Sequence, residues 1–396
     1  MSEYRVAATD TVSHALGPVA DDWAAVDVWF GRLELAGASA ATLATYRREI
    51  RRVQWYHDHV AAVPLSRWTY QDADAYVTFL KEVAPSHICP TGAKRGSTSW
   101  TPFRRALSAT SIADARKVLN TLYSFWQSAG YTRSNPLAGI GGRRKPTAPT
   151  RRAIRSDLFD ATIGCMESRE KKSARDYLIF HRNRFLLLLL ARTGLRANEA
   201  AQGSMTDIEL IPDPANNAQY WALNVSAQKG GGIGNVFLDD IVMEALETYR
   251  LSFGLPRYPH GEERYGLILS PYTTRTNYAS ETPRSKRQRK AWRSVRSRQT
   301  IWQIIKTEFQ SAAEFMNSAG KHAEARQLEA ASTHWLRHSF GTRLVLENQD
   351  LRLVAKAMRH KNINTTMSYT NLELLDIARA LAPFGTTEDG GEASER

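Results

Sequence analysis

The chain has 396 residues, 42% hydrophobic and 23% charged, with a formal net charge of +13. That is the composition of a soluble globular protein with two or three domains, and so basic a surface favours a polyanion, nucleic acid above all, as partner. Two cysteines, Cys89 and Cys165, exclude a disulfide framework and a paired zinc-ligand spacing. The longest apolar run, FLLLLLA at 185–191, falls far short of the roughly 20 residues that span a bilayer and reads as a buried helix. The N-terminus lacks the charged-then-apolar layout of a signal peptide, so a bacterial cytoplasmic protein, nucleoid-associated and without membrane contact, is expected.

After an N-terminal tail (1–19), a compact helical domain is expected over 20–140. In SAATLATYRREIRRVQWYHDH, Leu43, Tyr46, Ile50 and Val53 recur every three or four positions and mark one helix face. Arg47, Arg48, Arg51 and Arg52 lie on the other side, placed for phosphates. TYQDADAYVTFL opens with a Thr-x-x-Asp start signal at Thr69 and Asp72, and SIADARKVLNTLYSFWQSAG opens similarly at Ser111 and Asp114. Between them, residues 84–107 form a long inserted loop. A Gly-, Pro- and Arg-rich stretch without periodicity follows, a basic linker over 141–156 carrying Arg143, Arg144 and Lys145.

A second domain is expected over 157–385. Past the buried helix, QYWALNVSAQ and IGNVFLDD alternate in polarity around Lys229 and a glycine run, which is a hairpin signal. Residues 284–298, RSKRQRKAWRSVRSR, hold eight Lys or Arg in fifteen positions. They read as a mobile basic loop or as a helix facing phosphates, with Arg287 and Lys290 among the DNA contacts. Helices return from about Gln299, and 386–396 is a disordered tail. The fold class is mainly α with a small β-sheet.

Four scattered stretches hold side chains suited to chemistry. ARTGLRANEA places Arg196 after a helix and a Thr-Gly turn, with Glu199 three residues on; SAQKGGG puts Lys229 at a hairpin tip. THWLRHSF sets His334 and Arg337 three apart on one helix face, and MRHKNINTTMSYT supplies His360 and Tyr369. Each has an ordinary explanation alone: a helix-end ion pair, a solvated turn lysine, a polar helix face, a packing aromatic.

Taken in this order, the set resembles the tyrosine recombinase (phage integrase) family. Its pattern runs from an Arg in TGLR-x-x-E through a hairpin Lys and H-x-x-R to a His and a Tyr nucleophile a short distance beyond. The resemblance spans roughly residues 20–385 and implies a helical core-binding domain followed by an α+β catalytic domain. It implies that Tyr369 attacks a backbone phosphate of double-stranded DNA to form a 3′-phosphotyrosyl link. Arg196 and Arg337 would clamp the phosphate, His360 would donate to it, His334 would take the phenol proton, Lys229 would protonate the leaving 5′ oxygen, and Glu199 would orient a neighbour. A tetramer on two sites, docked through a C-terminal helix at 371–384, is implied as well.

The chemistry is consistent with this. A phosphodiester's anionic oxygens repel nucleophiles, and two permanently charged, bidentate guanidiniums answer that repulsion. An unperturbed phenol has a pKa of about 10, so the arginines' field and a base must help remove its proton. No cofactor, metal or ATP is expected, because the arginines supply the charge and the phosphotyrosyl link conserves the ester. No GxxxxGK[ST] loop occurs, and the adjacent pair Asp239–Asp240 lacks a partner cluster for a two-metal nuclease.

The chain departs from the family in three places. Arg359 stands where the family usually has Gly before the His, the run after Lys229 lacks a basic residue, and 271–298 is expanded. Two other readings remain open: a type IB topoisomerase that relaxes DNA, and a non-catalytic regulator using DLRLVAKAMRHKNINTTMSYTNL as a helix–turn–helix.

Overall fold

The computed structural model describes residues 14–139, 153–215, 217–226, 233–271, 292–347 and 350–359. The chain divides into two compact units, 1–145 and 146–396. Arg143, Arg144, Lys145, Lys229, Arg287, Lys290, His360, Tyr369 and the segment 371–384 lie outside the described residues.

Among the described residues the first unit is built from four α-helices, α1 (Asp22–Leu35), α2 (Ala40–His59), α3 (Tyr70–Lys81) and α4 (Ala109–Ser128). Each has a polar cap that satisfies N–H groups with no intrahelical partner. Asp21 accepts from Ala24 N at 2.8 Å and Ser39 from Thr42 N at 3.2 Å. At α3 the Thr69 hydroxyl accepts from Asp72 N at 3.4 Å while the Asp72 carboxylate accepts from Thr69 N at 2.8 Å, a reciprocal capping box. The start expected at Ser111 and Asp114 is displaced: α4 is capped by Ser108, which accepts from Ser111 N at 3.3 Å.

An aromatic core holds these helices together, with Trp29, Tyr76, Tyr123 and Trp126 almost fully buried. The long insertion is folded onto it. Phe103 is fully buried, its ring centroid 5.4 Å from those of both Trp55 and Phe79. Cys89 N donates to Phe103 O at 2.6 Å and the Thr101 hydroxyl to His87 O at 2.7 Å, so the loop's two arms are cross-bonded.

The second unit opens with α5 (Ser156–Ser168) and α6 (Ala174–Thr193). Phe185 to Leu190 of α6 are all buried, because α8, α9 and α11 pack around it; each such leucine contributes about 1.5–3 kcal/mol. Among the described residues no helix is long and apolar enough to cross a membrane. A short α7 (Ala197–Gln202) leads into an antiparallel sheet of β1 (Ile208–Pro212), β2 (Gln219–Ser226) and β3 (Ile233–Phe237). The β2–β3 hairpin matches the alternating segments, with Ser226 opposite Ile233. The edge strand β1, which pairs Ile208 with Leu223, is an addition to it.

Helix α8 (Asp240–Ser252) follows, capped by Asp239, which also pairs with Arg192 at 2.5 Å. A second small sheet joins β4 (Leu269–Pro271) to β5 (Trp292–Ser294). Part of the basic stretch 284–298 is therefore a strand, neither loop nor helix. Arg296 donates to the carbonyls of Gln202 and Gly203 at 2.8 and 3.0 Å, closing the end of α7. The chain continues through α9 (Arg298–Ser318), α10 (His322–Ala330), α11 (Thr333–Leu346) and α12 (Leu351–Ala357).

Candidate active site

The site begins at the end of α6. Gly194 takes a left-handed conformation, φ +60°, and its N–H donates to Leu190 O at 3.1 Å, which stops the helix. A Cβ there would stand 2.5 Å from Phe340 Cδ1 of α11, so backbone and space both require glycine. The turn delivers Arg196 to the start of α7. Glu199, three residues on, accepts from Arg196 N and from Arg196 Nη1, both at 2.8 Å. The side chain of Arg196 is 47% exposed and that of Glu199 only 15%.

Arg337 lies on the next layer. It is 2% exposed, and its two terminal nitrogens donate to Gly194 O and Met358 O. One buried guanidinium thereby joins three segments far apart in sequence: the turn before Arg196, helix α11, and the chain that enters His360. Buried carbonyls need donors, and a planar cation with several N–H groups serves two at once. His334, one turn earlier on α11, is exposed at the surface, its ring 4.5 Å from that of His338 and nearly perpendicular to it.

Arg359 completes the cluster. It has φ +52°, the left-handed region in which glycine is at ease, which gives a physical reason for the family's preference at this place. Its Nη2 is 2.8 Å from Glu199 Oε2, and its stem crosses β3, where a Cβ on Gly234 would meet Arg359 Cδ at 3.1 Å. Burial by itself raises the pKa of Glu199. The Arg359 charge, the Arg196 backbone N–H and the Arg196 side chain outweigh it and hold the carboxyl below its ordinary value.

Of the expected catalytic residues, the structure brings Arg196, Glu199 and Arg337 into one cluster, with His334 on the helix of Arg337. Lys229, His360 and Tyr369 fall outside the described residues; β2 and β3 flank Lys229 in sequence and Arg359 directly precedes His360. Three participants escape a reading of the sequence: the carbonyls of Gly194 and Met358, and Arg359 as the partner of Glu199. Only Arg359 left a signal, as an arginine in glycine's place.

In the first unit the arginines of α2 are divided. Arg47 pairs with Glu34 at 2.8 Å, and Arg48 and Arg52 pair with the almost fully buried Glu49 at 2.9 and 2.7 Å. Arg51 instead donates to Arg47 O at 3.0 Å. With Arg48 and Arg104 it lines a cavity of about 650 Å³ against the inserted loop. Burial and then the charges of Arg95 and Arg48 push the Arg51 guanidinium below its ordinary value, the mark of concentrated positive charge.

A mostly helical catalytic-type unit with a hairpin and an arginine cluster defines a class, and comparison with known proteins agrees with it. The profile of the phage integrase family matches residues 288–374. The tyrosine recombinase XerD of Mycobacterium tuberculosis (strain CDC 1551 / Oshkosh) is 26% identical over 334 residues, 84% of this chain and 88% of that protein. The tyrosine recombinase XerC of Chromobacterium violaceum is 25% identical over 348 residues, 88% and 89% of the two chains. Among solved structures, the XerH site-specific recombinase bound to palindromic difH substrate aligns with a TM-score of 0.54 at 18% identity, over 92% of this chain and 84% of that one. The Tn1549 transposon integrase in complex with transposon right end DNA aligns at 0.53 and 15%, over 91% and 99%. The likeness to these structures is one of fold. The chain is thus similar to tyrosine recombinases along most of its length and matches the phage integrase profile over 288–374.

Proposed function

We propose that this protein is a site-specific DNA recombinase that cuts and rejoins strands of double-stranded DNA through Tyr369. In this reading Arg196 and Arg337 hold the scissile phosphate. The Tyr369 oxygen bonds to phosphorus, the bond from phosphorus to the 5′ oxygen breaks, and a 3′-phosphotyrosyl link remains. The phenol proton passes to His334, Lys229 protonates the departing 5′ oxygen, and His360 donates to the phosphate. Rejoining is the same step reversed with a 5′ hydroxyl from the partner duplex, so no nucleotide is consumed. Glu199 keeps Arg196 oriented. The helical unit 20–140, with Arg51 and its cavity, and the basic linker 141–156 would add DNA contacts to those of the catalytic unit 157–385. A tetramer on two sites, joined through 371–384 and working at the bacterial nucleoid, completes the proposal.

The observation that carries the reading is the bridge made by Arg337, whose guanidinium gathers the Arg196 turn and the approach to His360 around one point. A phosphate at the exposed Arg196 would meet a charge whose turn Arg337 already holds in place, at little reorganisation cost.

The test has two stages. Tyr369→Phe protein is used to select its site from a random duplex library, and the selected duplex is then nicked near the cleavage point to trap intermediates. The wild-type chain is expected to form a covalent adduct that survives denaturing gels, and Tyr369→Phe to bind equally well and form none. Adducts that persist in Tyr369→Phe would remove that residue as nucleophile. A plasmid with two selected sites should be resolved or inverted; relaxation alone would indicate a topoisomerase, and binding with no trapped adduct a regulator.

A further inference from the structure

We propose that Arg359 is a positioning residue that shares the charge of Glu199, so that Arg196, hydrogen-bonded to Glu199 through Nη1, keeps charge to offer the phosphate. The proposal rests on the reading that Arg196 binds the scissile group. The geometry sets the problem. Glu199 is largely removed from water, yet it accepts two hydrogen bonds from Arg196, one through the guanidinium that must serve DNA. A carboxylate that is buried and paired with only one cation competes with any phosphate for that cation. Arg359 changes this balance. Its side chain is only 14% exposed and reaches Oε2 of the same carboxylate at 2.8 Å, the oxygen that also accepts from Arg196 N. Among the described residues of this cluster, Arg196, Arg337 and Arg359 then stand against the one carboxylate of Glu199, a surplus of two positive charges; without Arg359 the surplus is one.

The surroundings are shaped for this contact. Arg359 holds a left-handed backbone that costs an arginine more than a glycine, and Nη1 donates to Ala357 O at 3.2 Å. Gly234 of β3 leaves the room that its stem fills. The preceding carbonyl, Met358 O, is held by Arg337. The segment entering His360 is thus fastened to both phosphate-binding arginines, to Arg337 directly and to Arg196 through Glu199.

Single-turnover adduct formation on the selected, nicked duplex tests this, with wild type, R359G, R359K, E199Q and R359G/E199Q. Glycine suits the backbone at 359, which offsets part of the lost ion pair, so R359G is expected to fold, as judged by a single cooperative melting transition. Its cleavage rate is expected to fall about tenfold while the Kd for the duplex changes less than about twofold, the signature of a contact that matters to the reacting state rather than to binding. R359K, which keeps the charge, is expected to recover part of the rate. R359G/E199Q is expected to be several-fold faster than R359G, because an amide oxygen at 199 can still accept from Arg196 and orient it but no longer holds its charge.

The pH dependence carries a second signature. Among the described residues the charged groups acting on Glu199 are Arg359 and Arg196, and removing Arg359 raises its pKa. The R359G deficit relative to wild type should therefore shrink as pH falls through that raised value, where protonation of Glu199 releases Arg196. R359G equal to wild type, a double variant no faster than R359G, or a deficit that ignores pH would each overturn the proposal. If wild type itself forms no adduct, the assignment of Tyr369 fails instead. The carboxyl titration of carbon-13-labelled Glu199 in the free protein still decides the pairing: it must move upward in R359G, and an unmoved titration overturns it.

Discussion

Gly194→Ala probes the turn on which the site is built. Two costs add. An alanine at φ +60° costs about 1–2 kcal/mol in the left-handed region. Its Cβ would also lie 2.5 Å from Phe340 Cδ1, a clash in a packed interior that costs about 1–3 kcal/mol to relieve. The total is roughly 2–5 kcal/mol, which in a unit of this size lowers Tm by roughly 5–15 °C. Calorimetry on wild type, Gly194→Ala, Phe340→Ala and the double variant separates the two parts. With the ring gone only the backbone cost should remain, so the pair should couple favourably by about 1–3 kcal/mol. A Gly194→Ala penalty of the same size in both backgrounds would refute the packing argument. No penalty in either would refute the whole account of this turn. Because Gly194 O also accepts from Arg337, adduct formation should suffer more than duplex binding.

Arg337→Lys keeps the charge, but one ammonium cannot serve both Gly194 O and Met358 O; losing a charge-assisted bond to a buried carbonyl should cost about 1.5–3 kcal/mol by urea unfolding and about 100-fold or more in cleavage rate. Arg51→Ala should leave stability nearly unchanged, since it removes repulsion from Arg95 and Arg48, yet weaken duplex binding and reduce the salt dependence by about one phosphate contact. The capping box at α3 predicts a pH effect. Asp72 is held below its ordinary value first by the Thr69 backbone N–H and then by the Thr69 hydroxyl, against a smaller rise from burial. Since the folded value lies below the unfolded one, this stability is fully present above the ordinary aspartate pKa and is lost as pH falls through the lowered value. Asp72→Asn should therefore flatten the acid side of the Tm profile, and an unchanged slope would exclude the box as its source.

What could be read from the sequence is what short stretches settle among themselves. Thr69 and Asp72 cap α3 as neighbours, the alternation in QYWALNVS and IGNVF makes β2 and β3, and the Arg196–Glu199 spacing brings those side chains together within one helical turn. Ser108 and Ser111 are equally good caps locally. In the structure α4 is capped by Ser108, just after the loop that the buried Phe103 anchors to the core. The strand β1 ends in a proline that suits only a sheet edge, and β5 exists because β4 is there to pair with it.

Charge shows the same division most clearly. The pattern of α2 places four arginines off its apolar face, but which of them answer a carboxylate depends on Glu34 and on the buried Glu49. Likewise the sequence named Arg196 and Arg337 one by one, whereas their meeting depends on carbonyls at 194 and 358. A backbone oxygen carries no side-chain signature, and its need for a donor arises only once packing has taken it out of water.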